Sequence, residues 1–202
     1  MNGIYSKEIP MGEIIEIGAV LLDENFDIVS KYSTYVRPDN LKVSSRTKIL
    51  TNIAKEDLSR APKIGEALNK MLDISPDLSN TTLYTWSSSD TKSIISELKS
   101  KGLHNRLIMK LCKNYIDVQV IFGNKIGEKN QVNLTKALNM IGLKFDGKEH
   151  GALSDAINTA RILKEIETNA NIRKTIDDIN SYMNSKPLTS TIGSLFNNIK
   201  LD

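Results

Sequence analysis

The run EIIEIGAVLL at residues 13–22 constrains the fold more than any other stretch of the chain. It is almost unbroken aliphatic and β-branched sequence, the composition of a strand covered on both faces, and such strands belong to layered α/β sheets with helices on each side. A turn is expected at 23–27. Next comes KYSTYVRP (31–38), in which Tyr32, Thr34 and Val36 alternate with polar or exposed positions before Pro38 ends the pattern. Period-two alternation closed by proline predicts a second strand, joined to the first as a hairpin.

Helical spacing then takes over. Ser44 and Ser45 can cap a short helix, and residues 61–72 bring Ile64, Leu68, Met71 and Leu72 onto one face. Residues 82–86 predict a short strand, 90–101 a helix with Ile94, Ile95 and Leu98 inward and Gly102 as its stop, and 115–120 a further strand or strand-to-helix junction. A short helix over 134–141 and an amphipathic one over 152–166, with Ala152, Ala156, Ala160 and Leu163 in register, follow. A hairpin followed by strand and helix in alternation describes a mixed α/β sheet flanked by helices. That architecture places ligands at the carboxyl ends of its strands. Residues 169–202 are rich in Asn and Ser, with one helix expected over 172–183 and breaks at Pro187 and Gly193. They read as a C-terminal extension to a domain spanning 1–168.

With 40% hydrophobic and 25% charged residues in a chain of 202, a folded globular domain is expected and a disordered class is excluded. No apolar run approaches the roughly 20 residues that span a bilayer, and the first ten residues lack the apolar core of a secretion signal. No membrane partner and a cytoplasmic location are therefore expected. The single cysteine, Cys112, excludes an intrachain disulfide and a Cys-rich zinc site, and suits a reducing compartment. A net charge of +3 suits a polyanionic partner but is common in proteins that never meet one.

Chemistry-bearing residues are few. His150, one of two histidines, stands in KEHGALSDAINTARIL with Asp155 at H-x4-D spacing. If the helix begins at Gly151, His150 lies at its lip and Asp155 projects from about the second turn, so both can face one cleft while the alanines pack inward. The same pair also arises as a plain helix entrance, with an Asp near the positive end of the dipole. Asp90 follows the strand LYTW and three serines, which puts a carboxylate at the C-terminal end of a buried strand. It is equally placed to be the N-cap of the following helix, and a cap can also ligate metal.

The segments EIIEIGAVLLD (13–23), WSSSD (86–90) and NLTKALNMIGLKFDGKEHGALSDAINTARIL (133–163) occur in the order seen in DEDDh (DnaQ-like) 3′-to-5′ exonucleases. The chain resembles the bacterial branch of that family that includes KapD-type and ERI-type proteins. VRPDN (36–40) adds to the likeness, as does TKILTNIAKEDLSRAP (47–62), similar to the family's T-x-L-T-G-I-x-x-x-D-L-x-x-A-P with Asn52 in place of Gly. Asn is the next most tolerant residue for a left-handed backbone. Gly151 stands where a basic residue is frequent.

The resemblance covers about residues 13–166. It implies a ribonuclease H-like mixed sheet flanked by helices, and phosphodiester hydrolysis at the 3′ ends of single-stranded RNA or DNA. Two divalent cations, Mg²⁺ or Mn²⁺, would be held among four carboxylates, with a histidine as general base. Carried onto this sequence, Asp90 and Asp155 are metal ligands and His150 the base. Leu50 and Ile53, in the segment that resembles the substrate-facing loop, would stack on or wedge beside the terminal base, or else serve as core residues. Asp117, in YIDVQ, follows the catalytic position of Asp90 and is left to structure.

Two of the family's four carboxylates come from an Asp-x-Glu on the first strand, yet upstream of Glu13 stands MNGIYSKEIPMG, which has no Asp. The resemblance then implies that the first central strand is missing from this chain and that internal strand edges are left without partners. Asp90 and Asp155 would hold Mg²⁺ mostly through water, and the chain as it stands would be inactive. Glu8, Glu13 and Glu16 are not expected to substitute: the first precedes a proline loop, and the others lie on a strand used for packing. Because everything after Glu13 looks intact, the natural start is expected further upstream. The alternative is a non-catalytic nucleic-acid- or protein-binding module that uses the C-terminal extension for a partner.

Overall fold

The computed structural model describes residues 12–40, 53–128 and 130–185, with side chains as far as residue 181. The short helix expected from Ser44 and Ser45, and the breaks at Pro187 and Gly193, lie outside the described residues.

Strands β1 (Glu16–Leu22) and β2 (Ile28–Tyr35) pair antiparallel, with Glu16 opposite Tyr35, Ala19 opposite Tyr32 and a slip in register at Leu21/Leu22. Their turn is built by Asp23, whose Oδ1 accepts the backbone N–H groups of Asn25 and Asp27 at 2.9 Å, while Phe26 takes a left-handed φ of 60°. Side chains alternate across β1. Ile17 faces a core of Val36, Ile64, Leu68, Leu98 and Ile108, and Glu16 and Gly18 face the opposite way. The full cover expected for this strand is found only at Ile17, and its other residues are half-buried.

The strand begins three residues later than expected because Glu13 and Ile14 are held elsewhere. The Glu13 carboxylate accepts the backbone N–H groups of Asp39 and Asn40 at 2.8 and 3.0 Å, and buried Glu97 accepts the Ile14 N–H at 2.7 Å. Lys101 joins the group, its Nζ 2.7 Å from Glu13 Oε1, 3.2 Å from Asp39 Oδ2 and 2.9 Å from Glu97 Oε1. The last contact is ionic rather than a well-directed hydrogen bond. Burial pushes the Glu13 carboxyl up, but Lys101 and the two backbone donors outweigh it and leave its pKa below the ordinary value.

Helix α1 (Lys55–Arg60) is not anticipated by the sequence, and α2 (Ile64–Leu72) is the helix expected over 61–72, beginning three residues later. Pro62 separates them, since it donates no N–H and disfavours helical backbone at Ala61. Then come β3 (Tyr84–Thr85), α3 (Ser88–Ser100), α4 (Arg106–Lys113), β4 (Ile116–Asp117) and α5 (Val118–Ile126). Helix α4 is not anticipated by the sequence reading. Its signals are Asn105, whose side chain accepts the Ile108 N–H at 3.0 Å as a cap, and the buried pair Ile108 and Cys112 one turn apart. Helices α6 (Leu134–Met140), α7 (Ala152–Thr168) and α8 (Ile172–Ser185) complete the order.

A second core holds Val118, Phe122, Leu138, Ile162, Leu163 and Ile166, with Ile172 and Ile176 of α8 closing it. Residues beyond 168 therefore contribute to the packed interior. The inward stripe of α7 is Ala160, Ile162, Leu163 and Ile166, and Ala152 and Ala156 are only half-buried. Cys112 is free and buried, and that burial pushes its thiol up to about 11. No helix among the described residues is long and apolar enough to cross a membrane.

The strands do not form one sheet. β1 pairs with β2, β3 pairs in parallel with β4 (Tyr84 opposite Ile116, Thr85 opposite Asp117), and among the described residues no ladder joins the two pairs. The break falls between the hairpin and the later strands. β3 and β4 have two residues each, fewer than their apolar runs predict. A strand hydrogen-bonded on one edge keeps only half of its possible ladder, which shortens the regular part.

Candidate active site

The first turn of α7 rests directly on β1. A Cβ on Gly18 would stand 2.1 Å from the backbone nitrogen of Leu153 and 2.2 Å from the carbonyl carbon of Ala152, so only glycine permits this approach. Asp155 lies in that first turn, its N–H bonded to the Gly151 carbonyl at 2.9 Å. His150 sits just before the N-cap Gly151 with a left-handed φ of 65°, and its backbone N–H bonds the Asp155 carboxylate. Such a φ is costly for a side chain of this size and persists only when the surroundings hold it.

Asp90 lies in the first turn of α3, and the N-cap is Ser87, whose hydroxyl accepts the Ser89 N–H. The expectation that Asp90 itself caps the helix is corrected: a serine three residues earlier fills that position, because it takes the extended backbone a cap needs. Asp117 ends β4 and caps α5, accepting the Val120 N–H at 3.1 Å.

Burial, chiefly, pushes the Asp155 carboxyl up to about 6; the charge of His150 works against this, and Asp90 and then Glu16 add to it. Asp90 is exposed as a residue, yet the protein around its carboxyl withdraws enough water to raise its pKa, and Asp117 adds a like charge. Asp155 thus lies within electrostatic reach of both His150 and Asp90. The charge of Glu16 also reaches Asp155. Two residues before Gly18, Glu16 shares that face of β1, the face on which α7 lies. A lone glycine inside an otherwise bulky strand is the sequence signal for that close approach.

Among the described residues, no group of three His, Cys, Asp or Glu side chains could hold a metal ion. Asp90 and Asp155 suit a hard divalent cation in kind, being carboxylates whose pKa values are both raised, that of Asp155 in part by Asp90, but not in number. Ile53 is buried at 5% exposure, which leaves little surface for a base to touch, and Leu50 lies outside the described residues.

A prediction follows from Asp155. Its folded pKa of about 6 lies above the ordinary 3.8, so the folded state binds the extra proton. The contribution of Asp155 to stability is therefore greatest below about pH 4, falls as pH rises to about 6, and is level above that. Two units correspond to about 3 kcal/mol, which partial solvation reduces to about 1–2 kcal/mol. Asp155→Asn, which cannot ionise, should be more stable than the wild type by that amount at pH 8 and equal to it at pH 4. Urea melts of the metal-free proteins at both pH values check this, and equal stability at pH 8 would remove the buried-charge account.

The sequence pattern described as exonuclease (RNase_T) matches residues 6–163. The probable 3′-5′ exonuclease KapD of Bacillus subtilis is 27% identical over 167 residues, covering 82% of this chain and 78% of the relative. Human 3′-5′ exoribonuclease 1 is 28% identical over 191 residues and 91% of this chain, which spans only 53% of the human protein. Among solved structures, the nuclease domain of 3′hExo, a DEDDh family member bound to rAMP, superposes with a TM-score of 0.69 at 28% identity, covering 78% of this chain and 82% of that one. A 3′-exonuclease described in 3′-end specific recognition of histone mRNA stem-loop gives 0.69 at 27% identity, covering 78% and 73%. A family match over more than half of the chain and superposition on the nuclease domain of a DEDDh family member make this chain a member of the DEDDh-type exonuclease family.

Proposed function

We propose that the chain carries the body of a metal-dependent 3′-5′ exonuclease that shortens single-stranded RNA or DNA from its 3′ end in the cytoplasm. The observation that carries this reading is the electrostatic coupling of Asp155 with His150 and Asp90 at the start of α7. Bound divalent metal, Mg²⁺ or Mn²⁺, would supply positive charge against the scissile phosphate and lower the pKa of water. Asp90 and Asp155 would hold it, and His150 would accept the proton of the attacking water. Ile53 and Leu50 would border the terminal base only if their segment opens. The other two carboxylates belong, in this reading, to an Asp-x-Glu strand between β1 and β3. Without that strand we expect turnover to be slow or absent.

The second reading, a binding module that engages nucleic acid or a protein through residues 169–202 without cleaving, is favoured by the separate strand pairs and the two-carboxylate donor set among the described residues. One assay separates the two. The chain alone, and the chain preceded by a strand bearing Asp-x-Glu, are incubated with a 5′-labelled single-stranded oligonucleotide in Mn²⁺ and in chelator. A metal-dependent ladder receding from the 3′ end with the extended chain supports the exonuclease. Retention of the oligonucleotide uncut by both proteins supports the module.

A further inference from the structure

The loop that delivers His150 is gripped by a polar stripe on α7. Ser154, Asn158 and Arg161 recur at intervals of four and three residues, so they share one side of the helix. The Arg161 guanidinium donates to the Lys144 carbonyl at 2.8 Å, and the Ser154 hydroxyl accepts the Lys148 N–H at 3.2 Å. Between them Asn158, fully buried, accepts the Asp146 N–H through Oδ1 at 3.1 Å and donates through Nδ2 to the Asp146 and Ser154 carbonyls at 2.9 Å each. Arg161 donates to the same Oδ1 at 2.8 Å. Gly147 packs against Ser154, whose Oγ would be 2.5 Å from a Cβ at that position.

We propose that Asn158 is a positioning residue that sets the place of His150 relative to Asp155; the inference rests on reading His150 as the base. Asn158 stands one turn beyond Asp155 on the same helix, and it holds both backbone groups of Asp146, four residues before His150. Helix and loop thereby form one unit with little freedom between the two side chains. A buried amide with its donors and acceptor all engaged costs its full desolvation once those partners are removed, so the loop has no equally good alternative arrangement. The clasp also supplies the surroundings that a histidine with φ 65° needs.

The test uses the whole chain and its two histidines, with His104 as internal reference. In Asn158→Ala the amide of Asp146 should exchange with solvent about tenfold faster, the factor carried by one hydrogen bond of ordinary net strength. The His150 side-chain resonances should move toward those of a histidine in an unstructured peptide while His104 stays in place. Ile166→Val, a packing change on the same helix, lowers stability and should leave His150 unmoved. A folded Asn158→Ala chain with unchanged His150 resonances overturns the proposal. Should that variant fail to fold, Arg161→Ala, which frees the Lys144 carbonyl and one contact to Asn158, decides by the same resonances. In a cleaving form the substitution should lower kcat and leave KM nearly unchanged. If His150 moves as expected but no form of the chain cleaves, the exonuclease reading fails and the positioning role stands.

Discussion

Gly18→Ala should destabilise the chain by about 3 kcal/mol, near the upper end for overpacking a tight site, because the added methyl has nowhere to go. The atoms it would meet at 2.1 to 2.5 Å are the backbone of Ala152 and Leu153, which cannot rotate aside as a side-chain tip can. To make room, the first turn of α7 must lift from β1. That turn carries Asp155 and is entered from His150, so the same step that lowers stability should also uncouple the site. Gly12→Ala is the control, since no atom lies within 4 Å of the methyl it would add. Denaturant melts of the three proteins check the expectation. A Gly18→Ala chain as stable as the wild type would mean that α7 does not rest on β1 as described.

The second large effect concerns rate. In a cleaving form of the protein, His150→Ala should reduce kcat by about 10²- to 10⁴-fold, the range supplied by a positioned general base, with substrate binding little changed. If His150 is the base, removal of the proton from the attacking water runs through the imidazole while substrate contacts need not. Single-turnover cleavage measured beside oligonucleotide binding in chelator separates the two quantities. A comparable loss in both would assign His150 to substrate binding instead. Asp90→Asn and Asp155→Asn should differ from His150→Ala in kind, because excess Mn²⁺ can partly restore a weakened metal site but cannot replace a base.

These expectations drew unequally on sequence and on tertiary structure. The hairpin, the mixed α/β class and the helix from Ala152 were legible because each is written in local periodicity: the unbroken run at 13–22, the alternation of Tyr32, Thr34 and Val36, and the apolar register ending at Leu163. His150, Asp155 and Asp90 were singled out by spacing and by their place after a strand, and the absence of Asp-x-Glu is a plain reading of residues 1–12. Helix α4 was missed because it is only eight residues long and its cap, Asn105, looks like any loop asparagine, although its apolar residues fall on one face.

What the sequence determined by itself was therefore most of the order of elements and the family likeness, together with His150, Asp90 and Asp155 as candidates for the chemistry. Only the tertiary structure decided which residues become neighbours. Glu16 enters the electrostatic field of Asp155 because Gly18, two residues along the same strand face, lets a helix backbone settle onto β1. Asn158 grips the His150 loop because a helix turn brings it under Asp146, twelve residues earlier in the chain. Among the described residues the strands pair two by two, because a backbone ladder depends on which strand lies alongside in space, whatever the propensity of each run. Periodicity is a local property and can be read along the chain, whereas contact between distant residues depends on how the elements pack.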